Sequence, residues 1–335
     1  MNLDLQFGPF SPPNTNLIEQ LRYWSVAVPE KIAFRFLSRE EDEPIELTFS
    51  QLDNRAKAIA ARLTSLGLAG KRGLLMYPPG LDFIESFFGC IYAGVVPVPA
   101  YPPRRNRNMM RINSISLDAQ ASVALTVKAV SSRSRGTKIA AENLRKIPWV
   151  DTDRIPDELA DDWIKPRVSD RDLGLIQYTS GSTGSPKGVV LTHQNIMANS
   201  AMIMHAFGMT RQKDRGVFWL PTYHDMGLIG GVVMPACFAA EITFLSPVTF
   251  LTRPLRWLRA ISDYQAAISG GPNFAYRWCT MKIKPEECEN LDLSCWKVAF
   301  NGAEPVRADV LKEFTRKFEQ CGFSHSSHYP CYGMA

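Results

Sequence analysis

The stretch YTSGSTGSPKGVVLTH, residues 178–193, sets glycines and a run of Ser and Thr in front of one lysine and a short apolar segment. Gly181, Gly184 and Gly188 permit backbone conformations and close approaches that a Cβ forbids, so amide N–H groups can converge on an anion. Thr179, Ser180, Ser182 and Thr183 add hydroxyl donors, and Lys187 adds a mobile point charge suited to phosphate oxygens. Residues 173–178 read as a strand entering this turn and residues 188–191 as a strand leaving it. Thr192 is placed to N-cap a helix starting near His193. A Walker loop needs Gly-Lys-Ser/Thr on a strand-to-helix turn, whereas here Ser185 and Pro186 precede Lys187 and Gly188 follows it. A P-loop NTPase is therefore excluded. A flexible surface loop is the competing reading of such composition, and the ordered Ser-Pro-Lys-Gly leading directly into Val-Val-Leu argues against it.

Working outward, four further blocks follow in order: LPTYHDMGLIGG at 220–231, SGGPNFAYRW at 269–278, NGAEPV at 301–306 and CYGMA at 331–335. With YTSGSTGSPKG they make the chain resemble the adenylate-forming enzymes, which include acyl-CoA synthetases, luciferases and peptide-synthetase adenylation domains. The YHDMG form of the second block, NGAEPV, and the PPGLDFIESFFGCIYAGVVPVPAYPP run at 78–103 resemble the fatty acyl-AMP ligase branch. The resemblance implies ATP- and Mg²⁺-dependent activation of a fatty acid to its adenylate, with pyrophosphate released and the acyl group passed to an acyl carrier protein. That carrier could belong to a polyketide or peptide synthetase.

With 335 residues and 45% hydrophobic content the chain can bury a large core, and its length suggests two subdomains. A net charge of +5 suits an anionic ligand and is too small to argue for nucleic acid. Seven cysteines without a CxxC pair point to a reducing compartment, the cytoplasm by default. The start MNLDLQFGPF lacks the basic n-region of a secretory signal. The longest apolar run, 87–101, is broken by Gly89, Gly94, Pro97 and Pro99 and is too short to span a bilayer.

Ser50 precedes a helical pattern in which Leu52, Ala56, Ile59, Leu63 and Leu66 recur three or four apart, with Gly67 where a C-cap glycine belongs. A strand over 73–77, a helix over 81–92 and a strand over 95–98 follow. The second half repeats the alternation, with strands near 173–178, 216–220, 241–245, 266–269 and 296–300. Strands alternating with helices predict an α/β fold with mostly parallel sheets covered on both faces. The polar, proline-containing tract between 128 and 171 places a boundary near Ser169, giving subdomains over 1–169 and 170–335. By resemblance these form the N-terminal domain of the acyl-CoA synthetase fold, and the chain is expected to end inside a motif, before a β-barrel and a C-terminal domain carrying a catalytic lysine. Such a fragment alone is expected to be inactive or nearly so.

Joining a carboxylate to the α-phosphorus of ATP needs no covalent protein nucleophile; it needs two anions positioned together and charge neutralised as it develops. The resemblance assigns catalysis to His224, Thr183 and Lys187. It assigns nucleotide contacts to Thr179, Ser180, Gly181, Ser182, Gly184, Asp225, Asn301, Gly302, Ala303, Glu304, Tyr332, Gly333 and Met334, with Tyr332 stacking on adenine. It assigns the acyl pocket to Gly230, Gly231, Gly271, Pro272, Asn273 and Phe274. Read from residues alone, Gly230 and Gly231 are as well explained by helix packing, and the 274–278 aromatics by plain core. Ala335 stands where many relatives have Thr. Arg104, Arg105, Arg107 and Arg111 make a basic patch that reads first as a solvated loop. His325, His328 and Cys331 match no structural zinc spacing. No metal-binding residue is assigned. Two other readings stay open, a synthetase using coenzyme A as acceptor and a non-catalytic nucleotide-binding module.

Overall fold

A computed structural model describes residues 16–38, 43–103, 109–135, 142–179, 186–209 and 214–333. In chain order the strands are β1 (Ile32–Leu37), β2 (Ile45–Thr48), β3 (Arg72–Met76), β4 (Val96–Ala100), β5 (Val123–Thr126), β6 (Trp149–Asp151) and β7 (Leu173–Tyr178). They continue as β8 (Gly188–Thr192), β9 (Arg215–Phe218), β10 (Glu241–Leu245), β11 (Ile268–Gly270), β12 (Val298–Asn301) and β13 (His328–Pro330).

Among the described residues a larger sheet runs β13-β12-β11-β9-β10-β1-β2, a smaller one β4-β3-β5-β6, and β7-β8 stands apart as a hairpin. The smaller sheet is wholly parallel. In the larger one β1–β2 is the antiparallel pair, with β1 lying parallel to β10. Parallel neighbours require crossovers, and helix Asp82–Tyr92 supplies the one from β3 to β4. The α/β fold with mostly parallel sheets is therefore present. A cut near Ser169 does not follow sheet membership, because β1 and β2 from the first half complete the sheet built by the second.

The helix expected after Ser50 spans Phe49–Ser65 and is capped two residues earlier, by Thr48. Thr48 Oγ1 accepts the Gln51 N–H at 3.2 Å while Gln51 Oε1 accepts the Thr48 N–H at 2.8 Å, a reciprocal capping box. Thr192 caps helix His193–Ala206 in the same way, accepting the Asn195 N–H at 3.1 Å. The strand expected over 216–220 stops at Phe218, because Trp219 and Leu220 turn out of the sheet into a buried aromatic cluster. There Trp219 stacks on Phe250 with ring centroids 3.9 Å apart, and Trp257, Trp296 and Tyr276 extend the contact edge-to-face or stacked. Such pairs add to the area they bury.

A second core lies under the smaller sheet, where Leu74, Met76, Val98, Ile112 and Ala124 meet Ile176 and Tyr178 of β7. Side chains alternate across a strand, so Leu175 and Gln177 face the opposite way. The hairpin is thus lodged between the smaller sheet and a cavity. No helix among the described residues is long and apolar enough to cross a membrane.

Candidate functional site

The cavity, about 680 Å³, opens between the β7–β8 hairpin, helix His193–Ala206, the segment after His224 and the ends of β12 and β13. Its walls divide by chemistry. Leu175, Leu191, Ile203, Phe207 and Ile229 supply apolar lining, while Asp225 and Tyr332, with the backbone of Ala303 and Gly333, supply polar groups. Tyr329 closes one side by donating its hydroxyl to the Ala206 carbonyl at 2.9 Å, tying β13 to the end of the helix.

The segment after Pro221 is built as a tight turn followed by a π-helix over Met226–Val233. The His224 N–H bonds to the Pro221 carbonyl at 3.1 Å, and the Leu228 N–H to the His224 carbonyl at 2.8 Å. A Cβ on Gly227 would run into the Pro221 carbonyl oxygen, so glycine is required where the π-helix crosses the turn. π-Helical turns are rare and concentrate at functional sites.

His224 Nδ1 lies 2.5 Å from Asp225 Oδ1. The hydrogen bond raises the histidine above its ordinary value and lowers the aspartate below its own. Asp225 is in the cavity wall, and the half-exposed His224 ring stands beside it. From the opposite side, Gln177 Nε2 donates to the Tyr223 carbonyl at 3.2 Å and anchors the turn to β7. The Gln177 Oε1 atom is buried without a protein partner in the same wall.

Of the residues assigned to nucleotide contacts, Asp225, Ala303, Tyr332 and Gly333 line the cavity. Ala303 holds a φ of 67°, an uncommon left-handed backbone for a residue with a Cβ and a local strain of the kind found at ligand sites. Tyr332 is 87% exposed, its ring free to meet a planar ligand. Gly302 backs onto the Cys331 carbonyl, and Asn301 is fully buried with its Oδ1 unpaired behind the wall. Glu304 serves a neighbour: its Oε1 accepts the Phe274 N–H at 2.6 Å, capping helix Asn273–Lys282, whose own N-cap Pro272 has no side-chain acceptor.

Thr179 and Lys187 stand at the hairpin end, where the Thr179 N–H bonds to the Lys187 carbonyl at 3.0 Å and the Lys187 side chain is exposed. Ser180, Gly181, Ser182, Thr183, Gly184 and Met334 lie outside the described residues.

Of the residues assigned to the acyl pocket, Gly230 lines the cavity. Gly231 faces Phe218, and Gly271 faces the Trp219 ring, 2.6 Å from where its Cβ would be. Asn273 is 6% exposed and accepts the Arg307 N–H at 3.0 Å. Phe274 packs its edge on Trp219, and none of Gly271, Pro272, Asn273 and Phe274 is among the residues lining the cavity that Gly230 belongs to. His325 Nδ1 and His328 Nε2 both lie 3.1 Å from the Thr315 hydroxyl. Among the described residues no group of three or more His, Cys, Asp and Glu could hold a metal ion.

Sequence reasoning missed Gln177 and the helix face carrying Asn195, Asn199, Met202 and Ile203. The signal for that face was the i, i+4, i+7 spacing downstream of the Thr192 cap.

Residues 21–335 match the model of the AMP-binding enzyme family. The chain belongs to that family. JamA of Moorena producens, a medium-chain-fatty-acid–acyl-carrier-protein ligase, is 41% identical to this AMP-binding enzyme over 328 residues, 97% of this chain and 55% of its own length. FadD32 of Mycobacterium marinum, a long-chain-fatty-acid–AMP ligase, is 34% identical over 340 residues, 97% of this chain and 52% of its own. The crystal structure of a fatty acid AMP ligase from Legionella pneumophila superposes with a TM-score of 0.91 at 37% identity, covering 96% of this chain and 55% of that one. The L. pneumophila fatty acyl-adenylate ligase in complex with acyl adenylate and pyrophosphate superposes at 0.90, with 37% identity over 96% of this chain and 55% of its own. This AMP-binding enzyme chain thus spans about half the length of the relatives it matches.

Proposed function

We propose that the chain forms the nucleotide- and acyl-binding part of a fatty acyl-AMP ligase. The observation that carries this reading is a cavity whose lining combines apolar side chains, Leu175, Ile203 and Ile229 among them, with polar groups at Asp225, Ala303 and Tyr332. In the proposed reaction a carboxylate oxygen bonds to the α-phosphorus of ATP, the bond to the β-phosphate bridging oxygen breaks, and pyrophosphate leaves. The thiol of an acyl carrier protein then attacks the acyl carbon of the acyl-AMP, the bond to the phosphate oxygen breaks, and AMP and the thiol proton leave as the thioester forms. The relatives named as fatty-acid–acyl-carrier-protein and fatty-acid–AMP ligases support this substrate and acceptor.

Within that reading the apolar lining at Leu175, Ile203 and Ile229 holds the alkyl chain, and burial of each methylene favours binding by about 0.8 kcal/mol. Tyr332 stacks on the adenine, and the strained Ala303 backbone offers its polar groups at the base edge. His224, its pKa raised by the hydrogen bond to Asp225, stands beside the reacting carboxylate and α-phosphate. Lys187 and Thr179 hold the triphosphate at the hairpin end. Mg²⁺ would arrive on the ATP phosphates, its usual mode of binding, and neutralise the departing pyrophosphate. The free state of all seven cysteines accords with a cytoplasmic setting.

The test uses the full-length gene product with radiolabelled dodecanoate, ATP and Mg²⁺, with and without coenzyme A. Acyl-AMP that accumulates and is consumed by a carrier protein but not by coenzyme A supports the proposal. Ready formation of acyl-CoA assigns the chain to a coenzyme A synthetase. Nucleotide binding without any adenylate leaves a binding module.

A further inference from the structure

The two residues that lead into the proposed phosphate turn are each gripped by one helix, Met110–Asp118, which belongs to the smaller sheet's half of the molecule. Arg111 Nη2 donates to the Thr179 carbonyl at 2.7 Å. Two turns further along, Asp118 Oδ2 accepts the Tyr178 hydroxyl at 2.5 Å. Residues two turns apart share a helix face, so both contacts come from the side that Ile112 and Ile115 fasten to the second core.

The grip is built into the hairpin as well. With its N–H on the Lys187 carbonyl and its C=O on Arg111, Thr179 has both backbone polar groups committed. The Tyr178 ring lies across Gly188, whose Cβ would sit 2.9 Å from Ile176 Cγ2 and 3.0 Å from Tyr178 Cζ, so glycine gives the ring its room on the way to Asp118. The hairpin's own ladder fixes Tyr178 opposite Gly188. A two-stranded hairpin is marginal alone, and a charge-assisted bond from a core-anchored arginine is among the stronger tethers available.

We propose that Arg111 and Asp118 are positioning residues that set the place of Thr179 and, through its N–H bond, of Lys187, the two described residues assigned to the ATP phosphates. The assignment of phosphates to that end rests on the acyl-AMP ligase reading; the mechanical tether does not. Arg111 was grouped in the sequence with a solvated basic loop, yet its guanidinium donates to a backbone carbonyl.

The test combines amide hydrogen exchange with kinetics on the full-length protein, comparing Arg111→Ala, Arg111→Lys, Asp118→Asn and, as a control, Arg72→Ala. Arg72 donates to the Ala119 carbonyl at 2.8 Å at the end of the same helix without touching the hairpin. Arg111→Ala is expected to speed exchange of the Thr179 amide about tenfold, with Arg111→Lys recovering most of the protection. In pyrophosphate exchange the same variant should raise KM for ATP about tenfold and leave KM for the fatty acid within about twofold. Unchanged exchange at Thr179, or an equal effect from Arg72→Ala, overturns the tether. Faster amide exchange with an unchanged KM for ATP overturns its role in phosphate placement. Should the wild-type protein form no adenylate, the ligase reading fails, and the hydrogen-exchange arm still decides the tether.

Discussion

His224 and Asp225, adjacent in sequence, turn their side chains onto each other, with Nδ1 and Oδ1 2.5 Å apart at the edge of the cavity. The aspartate's hydrogen bond lifts the histidine above its ordinary value of 6.5. A raised folded-state value means the pair stabilises the fold fully below about 6.5 and loses that contribution as pH rises through the folded value. An NMR titration should show His224 titrating above an exposed histidine, and Asp225→Asn should lower its midpoint. Identical midpoints in the two proteins would remove Asp225 as the cause of the raised value.

His193 carries the opposite shift. It is 2% exposed, its Nδ1 accepts the Leu17 N–H at 3.3 Å, and burial lowers its pKa to about 4 against the opposing pull of Asp172. The unfolded chain binds the extra proton between pH 6.5 and 4, so the neutral ring's contribution is complete above 6.5 and declines as pH falls towards 4, by at most about 1.4 kcal/mol per pH unit. His193→Gln should flatten the slope of unfolding free energy in that window. Denaturant melts at pH 7, 6, 5 and 4 check it, with residual slope expected from His328, also lowered to about 4 by burial.

Gly227→Ala should cost about 1–3 kcal/mol of stability through overpacking against the Pro221 carbonyl, and should abolish adenylate formation by displacing the His224 turn. Gly230→Ala is the comparison, since its Cβ would meet only Phe218, at 3.6 Å. Thermal melts should separate the two variants by several degrees. Equal melting temperatures would show that the π-helix adapts.

The same position tests the cavity's apolar lining as the alkyl site. Gly230→Leu should leave adenylation of short acids within about threefold while lowering that of dodecanoate about tenfold or more, because a buried side chain of that size competes with several methylenes. Competition assays across a chain-length series read this, and a uniform loss at every length would place the chain elsewhere.

Tyr332→Ala should raise KM for ATP about tenfold, the scale of one base–aromatic stack, with no change in melting temperature, since the ring is 87% exposed. A fall in melting temperature with KM unchanged would make it a packing residue.

Much of the fold was legible because strand and helix periods differ and caps mark the joins. Strand β10 falls on the expected 241–245, and Thr192 caps its helix as read. What escaped was chemistry set by partners distant in sequence. The expected helix start at Ser50 missed Thr48 because the cap is decided by Gln51 reaching back. Glu304 sits in a block read as nucleotide-binding, but its acceptor goes to an amide that Pro272 leaves uncapped. Arg111 looked solvated because a carbonyl acceptor carries no signature in the sequence. Gln177 was passed over because nothing local distinguishes the cavity side of β7 from its core side.

The pairing of β1 with β10 constrains how the molecule is made. Phe34 to Leu37 lie in register with Ile242 to Leu245, so the first strand's parallel neighbour leaves the ribosome about 200 residues later, roughly 10–40 s at ordinary rates of synthesis. Through that interval β1 has only β2 beside it, its other edge open to whatever strand arrives first. The smaller sheet, whose four strands all lie between residues 72 and 151, can assemble while the larger one waits. Newly made protein should therefore be most vulnerable to mispairing at β1, long before a nucleotide has anywhere to bind.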